Sequence, residues 1–205
     1  SLTQKTILSH YFSNTIFRLN NGSVIEWDNF TLMLINSGYR RSETVIEVGE
    51  YAIRGGIIDI FSSNYEHPMR IDLIDNKISS IRFFDPLTQI TFKKIDSIII
   101  LPVSELIYSS KAINNFKYQY REKFGINSVK DNIYQSVIEN NRYPGVEHWM
   151  PLFYSKLGNI FEVIDKSYTF VVNEDFSELC ENRIEEIREA YNSRFISYKN
   201  IKKNK

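Results

Sequence analysis

Residues 54–61 read RGGIIDIF and residues 69–77 read MRIDLIDNK. Branched apolar residues dominate both stretches, which is typical of β-strands. Because side chains alternate between the two faces of a strand, the apolar and charged residues of the second stretch separate. The alternation predicts that Met69, Ile71 and Leu73 face the core. It predicts that Arg70, Asp72 and Ile74 lie on the outer face.

The residues around these two strands predict how the strands pair. The dipeptide Asp75-Asn76 suits a two-residue turn with positive φ, which joins the second strand to residues 77–85 in a hairpin. The glycine pair at 55–56 could be mistaken for a phosphate-binding loop, but such a pair before a strand more often marks a tight turn or a bulge. Arg54 joins Arg70 on the outer face if its strand neighbours the hairpin.

The charged residues of these strands have more than one interpretation. Asp59 and Asp72 lie close to arginine-bearing segments, which favours ion pairs over a pair of catalytic carboxylates. Arginine beside an exposed apolar residue is also typical of a protein–protein contact, where truncating one side chain costs about 2 kcal/mol or more. The alternative is an ordinary solvated sheet face, on which an Arg–Asp pair contributes roughly 0–1 kcal/mol. Spacing alone leaves these last two interpretations open.

Composition places the chain among globular proteins. Its 205 residues are 42% hydrophobic and 24% charged, which is enough apolar material for one large or two small cores. Lys plus Arg equals Asp plus Glu at 25 each, so the net charge gives no general electrostatic case for nucleic-acid binding. The single Cys180 fits a reduced, cytoplasmic setting. No stretch reaches the roughly 20 apolar residues of a membrane span. The start lacks an initiator Met, and we expect a piece of a longer protein.

The first domain is predicted to cover residues 1–103 and to be α+β. Short strand-like runs separated by turn residues occupy residues 39–103, which indicates a mostly antiparallel sheet. A flanking helix is expected ahead of the sheet, capped by Asp28 and reaching Asn36.

The second domain is predicted to cover residues 104–205 and begins as helical sequence. Apolar residues recur at helical spacing between residues 113 and 138. Two short strands are predicted at 160–164 and 169–172. A last helix is expected to follow a cap at Asn173. Its apolar stripe predicts core packing and consists of Phe176, Cys180, Ile184, Ile187, Tyr191 and Phe195.

Motifs for catalysis and nucleotide binding are missing from the sequence. It contains no G-x-x-x-x-G-K-[ST], no G-x-G-x-x-G, no H-E-x-x-H and no G-x-S-x-G. His10, His67 and His148 stand in unrelated contexts, so each is expected to be a surface or locally hydrogen-bonded residue. We therefore expect no catalytic residue, cofactor site or metal site in this chain.

Four longer stretches carry a family resemblance. The sequences GEYAIRGGIIDIF (49–61), PMRID (68–72) and ISSIRFFDPLTQ (78–89) closely resemble the UvrB-homology module of the bacterial transcription-repair coupling factors, which the excision-repair protein UvrB shares. The sequence PGVEHWMPLF (144–153) is similar to a Gly-x-Glu-x-Trp-x-Pro-Leu-Phe signature of these factors that UvrB does not carry. The resemblance spans nearly the whole chain.

The resemblance implies a non-motor portion of a larger ATP-dependent DNA translocase that displaces stalled RNA polymerase and recruits UvrA in transcription-coupled nucleotide excision repair. It implies a UvrA-binding domain at 1–103. It also implies an incomplete α/β, helicase-like domain at 104–205, a remnant that has lost its nucleotide site. ATP and magnesium would belong to motor domains of the parent protein, and RNA polymerase and double-stranded DNA would bind through its other domains. A C-terminal domain of the parent is expected to cover the UvrA-binding surface.

By the same resemblance, the UvrA contacts fall on Arg54, Arg70 and Ile74, which strand alternation also places on the outer face. Leu73-Ile74 stands where family members commonly carry two phenylalanines, so apolar area and stacking are reduced. The alternatives are a UvrB-like helicase core that binds damaged DNA, which needs a Walker motif and an aromatic-rich hairpin, and a stand-alone hydrolase. Binding without chemistry is the interpretation that the sequence favours.

Overall fold

A computed structural model describes residues 4–12 and 15–203, with side chains described as far as residue 193. The chain divides into two compact units. The larger unit is Ile7–Leu157, and the smaller combines the N-terminal residues up to Thr6 with the chain from Gly158 onward. Among the described residues, no helix combines the length and the apolar character that crossing a membrane requires.

The larger unit contains strands, α-helices and short 3-10 helices. Its strands are β1 (Phe17–Asn20), β2 (Arg40–Arg41), β3 (Glu50–Arg54), β4 (Ile57–Ile60), β5 (Met69–Ile74), β6 (Lys77–Phe84), β7 (Thr91–Ile95) and β8 (Ser97–Ile100). Its α-helices are α1 (Trp27–Asn36), α2 (Ser110–Phe124), α3 (Asn132–Ile138) and α4 (Met150–Phe153). The 3-10 helices are Ser9–Tyr11, Ile126–Lys130 and Val146–Trp149.

The main sheet has the strand order β2-β3-β4-β5-β6-β7. Its neighbours are antiparallel, except that β2 runs parallel to β3. Strands β1 and β8 form a separate antiparallel pair. The α+β class and the mostly antiparallel sheet are therefore confirmed. Strand β4, which follows Arg54 in the chain, is the neighbour of the β5–β6 hairpin. This was the condition under which Arg54 joins Arg70 on the outer face.

Helix α1 covers the inner face of this sheet. Phe30 and Leu34 of the helix are buried against a core that includes Met69 and Ile71 of β5. The core-facing half of the alternation in β5 is thus confirmed, while Leu73 is only partly buried at the end of the strand. Sheet and helix bury their apolar sides against each other, and the charged residues of β5 remain on the outer face.

A second core lies among the helices α2, α3 and α4. Phe116 of α2 and Phe153 of α4 are fully buried, with ring centroids 4.6 Å apart. The helical spacing of apolar residues between 113 and 138 predicted helical structure. The structure divides that stretch into α2 and α3, which are separated by the 3-10 helix Ile126–Lys130. The domain boundary expected after residue 103 stays a prediction.

The start of α1 differs from the sequence prediction. The helix begins at Trp27, and Glu26 occupies the N-cap position without a side-chain hydrogen bond to the helix backbone. Asp28, which we expected to be the cap, lies inside the first turn. A carboxylate in that turn still faces the positive end of the helix dipole, so the residue stabilises the helix by charge and not by capping.

The smaller unit contradicts both strand predictions. Ile160–Val163 forms a short helix, α5, which the side chain of Asn159 caps by accepting a hydrogen bond from the Glu162 amide at 3.2 Å. Residues 169–172 have no regular structure, and Val171 is 95% exposed. A strand requires a neighbour for its backbone hydrogen bonds, and no strand of the described chain pairs with these residues.

The last helix, α6, spans Phe176–Lys203. Because the helix begins at Phe176, Asp175 stands at the N-cap position, and the predicted cap at Asn173 is wrong. The backbone carbonyl of Asn173 accepts a hydrogen bond from the Phe176 amide in the turn that precedes the helix. Core packing of the apolar stripe was a wrong prediction, because Ile187 is 50% and Tyr191 65% exposed. An apolar stripe indicates which side of a helix avoids water, but not which element covers it. Phe195 of the stripe lies outside the described side chains.

Candidate protein-interaction face

A tight turn between β3 and β4 places Arg54 at the edge of the outer face. Gly55 has a φ of +59°, a conformation that suits glycine. A Cβ atom on Gly56 would lie 2.9 Å from the carbonyl oxygen of Leu73, and the Leu73 amide donates to the Gly56 carbonyl at 2.7 Å. The glycine pair therefore forms a tight turn at which the backbone of β5 comes too close for a side chain on Gly56. This confirms the prediction of a tight turn over a phosphate-binding loop.

The β5–β6 turn presents Ile74 to solvent. Asp75 and Asn76 have φ values of 50° and 63°, so the predicted two-residue turn with positive φ is confirmed. The indole Nε1–H of Trp27 donates to the side-chain oxygen of Asn76 at 2.7 Å, which ties the turn to α1. Ile74 is 67% exposed beside this turn, as the alternation predicted.

Asp59 is the centre of the charged cluster. It is fully buried in β4, and Arg70 lies directly opposite in β5. The guanidinium of Arg70 donates two hydrogen bonds to the carboxylate, Nε to Oδ1 at 2.7 Å and Nη2 to Oδ2 at 3.0 Å. Arg54 donates from Nη2 to Oδ2 at 2.5 Å. Both arginines of the sequence prediction thus converge on one buried carboxylate, and such charge-assisted bonds are stronger than neutral ones.

The two arginines differ in their surroundings. The side chain of Arg70 is 18% exposed, stacks 4.7 Å from the ring centroid of Phe84, and also donates to the carbonyl and side-chain oxygens of Gln89 at 3.3 and 3.4 Å. Its hydrogen bonds to Asp59 raise the pKa of Arg70, so it stays charged. The side chain of Arg54 is 51% exposed, and its further bond is a long one, 3.4 Å to the carbonyl of Glu43.

Two loops border the cluster and are joined through Gln89. Its side-chain amide donates to the carbonyl of Val45 at 3.2 Å and to that of Pro86 at 2.7 Å. A small outer-face core of Val45, Ala52, Phe61 and Phe84 lies in this part of the sheet. Gln89 was not among the predicted site residues, although it ends the 78–89 stretch that carries the family resemblance. Its backbone φ of 60° becomes visible only in the structure.

A second ion pair lies on the outer face. Arg82 donates from Nη2 to Oδ2 of Asp72 at 2.6 Å, and the hydroxyl of Ser80 donates to the same carboxylate oxygen. Asp59 and Asp72 are therefore both held by arginine. The prediction of Asp–Arg ion pairs is confirmed.

The histidines lie in separate environments. His10 packs on Tyr11 with ring centroids 4.1 Å apart, His67 meets Phe92 edge-on at 5.0 Å, and His148 is exposed. Within the part of the chain that the structure describes, no group of three or more His, Cys, Asp or Glu residues could hold a metal ion.

Residues 17–106, which contain this face, match the model of the UvrB interaction domain family. The chain is 33% identical over 197 residues to the transcription-repair-coupling factor of Haemophilus influenzae, a match that covers 96% of this chain and 17% of the relative. It is 33% identical over 156 residues to the Escherichia coli factor, covering 76% of this chain and 14% of the relative. A Staphylococcus aureus factor is 37% identical over 113 residues, covering 55% of this chain and 10% of the relative.

The family match thus assigns a UvrB interaction domain to residues 17–106, the part of the chain that contains the main sheet and its outer face. The chain belongs to the family of the transcription-repair-coupling factors, and it spans about 17% of the length of the relatives that it matches over most of its own length.

Proposed function

We propose that this chain is a protein-interaction module that binds UvrA and, within a longer coupling factor, recruits UvrA to stalled RNA polymerase. The observation that carries the proposal is the outer face of the matched domain, where Arg54 and Arg70 are fixed on Asp59 and Ile74 is exposed on the same sheet. Arginine with a nearby apolar side chain is the composition of a protein–protein contact site.

The module acts by binding and performs no catalysis in this proposal. Asp59 and Asp72, the carboxylates that could have formed a catalytic pair, are committed to arginines. ATP and magnesium are used by motor domains of the longer protein, and RNA polymerase and double-stranded DNA bind through its other domains. Residues 1–103 form the UvrA-binding domain and residues 104–205 the helicase-like remnant. In the longer protein, a C-terminal domain covers the UvrA-binding surface, and the site of action is the cytoplasm.

The experiment measures capture of purified UvrA by the immobilised 205-residue chain. Arg54→Ala and Ile74→Asp are expected to reduce capture by at least about 30-fold in affinity, since truncating a contact-site residue costs about 2 kcal/mol or more. The matched control is Arg18→Ala, because Arg18 is an exposed arginine on β1, outside the main sheet. Thermal transitions of the three variants should stay within a few degrees of the unmodified chain. Undiminished capture by both outer-face variants would refute the assignment.

A further inference from the structure

Most of the free hydrogen-bonding capacity of the cluster belongs to Arg54. A guanidinium has five N–H donors. Arg70 directs Nε and Nη2 at Asp59, and its Nη1 and Nη2 at Gln89, so each of its nitrogens has a partner within the chain. Arg54 binds Asp59 through Nη2, and its Nε has no hydrogen-bond partner among the described residues. Of five donors each, Arg54 uses two, one of them in the long bond to the Glu43 carbonyl, and Arg70 uses four. An incoming acceptor therefore finds more open donors on Arg54 than on Arg70.

The cluster also has one positive charge in surplus. Two guanidinium groups share the single carboxylate of Asp59. The enclosed Arg70, 18% exposed, is neutralised by its two-pronged bond to that carboxylate, which leaves the surplus charge at the 51% exposed Arg54. A carboxylate on a partner would complete the pairing, because a planar guanidinium donates two parallel hydrogen bonds to a carboxylate.

We propose that Asp59 is a positioning residue, anchored by Arg70, that fixes the guanidinium of Arg54 to receive a carboxylate of UvrA. This inference rests on the proposed function and assigns separate roles to the two arginines. Arg54 touches the partner, while Arg70 and Asp59 act through Arg54. A side chain that is fixed before association loses less rotamer freedom on binding, so Asp59 and Arg70 raise affinity without touching the partner.

The substitution Asp59→Asn separates positioning from simple charge. It preserves the size of the side chain and removes its negative charge. If Asp59 only neutralises the arginines, its removal leaves the face more positive, and binding of an acidic partner should strengthen. If Asp59 positions Arg54, binding should weaken although the face has become more positive. The two roles predict changes of opposite sign.

A double-mutant cycle on UvrA affinity tests the proposal. We expect Arg54→Ala to weaken binding by at least about 30-fold and Asp59→Asn by about tenfold. The double variant should bind no more weakly than Arg54→Ala alone, since Asp59 acts through Arg54. Asp72→Asn is the matched control, because it removes a carboxylate from the same face that is paired with Arg82 and accepts no hydrogen bond from Arg54 or Arg70. Its affinity should be unchanged or slightly higher.

A measurement on the unmodified chain covers the case in which Asp59→Asn does not fold. In arginine side-chain NMR, the guanidinium of Arg54 should be more ordered than that of the exposed Arg18. Equal mobility of the two would overturn the positioning role. Weak binding by Arg54→Ala together with equal or tighter binding by Asp59→Asn would overturn only this inference. Absence of UvrA binding by the unmodified chain would overturn the proposed function, and this inference with it.

Discussion

Replacing Arg142 with methionine is expected to lower the free energy of unfolding of the larger unit by about 3 kcal/mol. The guanidinium donates to the carbonyl of Asn36 at 2.7 Å, the carbonyl of Leu106 at 2.8 Å and the hydroxyl of Ser104 at 3.0 Å. It also lies 4.2 Å from the ring centroid of Tyr108. Because Asn36 ends α1 and the other partners precede α2, Arg142 ties the α1–sheet part of the unit to the helical part.

The magnitude follows from these contacts. Hydrogen bonds from a charged donor contribute about 1.5 kcal/mol or more each, and a partly buried cation–π contact contributes about 1 kcal/mol. Burial opposes the charge and lowers the pKa of Arg142, and desolvation of the half-buried guanidinium offsets about 2 kcal/mol of the gain. A loss of about 3 kcal/mol corresponds to a decrease in Tm of about 6–12 °C for a unit of this size.

Thermal unfolding followed by circular dichroism measures this effect. Arg142→Lys should recover only part of the lost stability, because an ammonium cannot reach three fixed acceptors with the geometry of a planar guanidinium. Arg18→Met is the control for removing an exposed arginine, and its effect should lie within about 0.5 kcal/mol. A Tm for Arg142→Met within 2 °C of the unmodified chain, on the order of the measurement scatter, would refute the reasoning.

Three further predictions concern backbone space, pH and the exposed helix. A Cβ on Gly38 would lie 2.6 Å from the Cβ of Ser104, whereas one on Gly55 meets nothing within 4 Å, and both glycines have positive φ. Gly38→Ala should therefore lower the free energy of unfolding by about 2 kcal/mol more than Gly55→Ala in denaturant titrations; equal losses would contradict this. Burial opposes the charge of Glu50, but two backbone amides and an arginine lower its pKa, so its stabilisation is present at neutral pH and lost as pH falls below about 4. Glu50→Gln should be less stable than the unmodified chain near pH 7, with the difference shrinking below pH of about 4; a constant difference across that range would refute the assignment. Ile187→Lys on α6 should change stability by less than about 0.5 kcal/mol, whereas a loss of several kcal/mol in urea unfolding would show that the helix face is packed.

The sequence by itself determined the local features of the outer face. Alternation along β5 assigned Met69 and Ile71 to the core and Ile74 to solvent, and the structure agrees. The Asp75-Asn76 turn also followed from residue type, because few residues adopt positive φ at low energy. These features depend on side-chain direction and backbone sterics within a few residues, which a sequence displays directly.

Only the tertiary structure decided which charged groups meet and which apolar faces are covered. Arg54 and Arg70 share Asp59 because β4 lies between β3 and β5 in a particular register, and register depends on pairing across the sheet. The apolar stripe of α6 has the spacing of a packed helix, yet Tyr191 is 65% exposed. Coverage of a helix face requires residues distant in sequence. The residue pattern predicted Asp–Arg pairing, but the convergence of two arginines on one buried carboxylate depends on the register of three strands, which no local pattern displays.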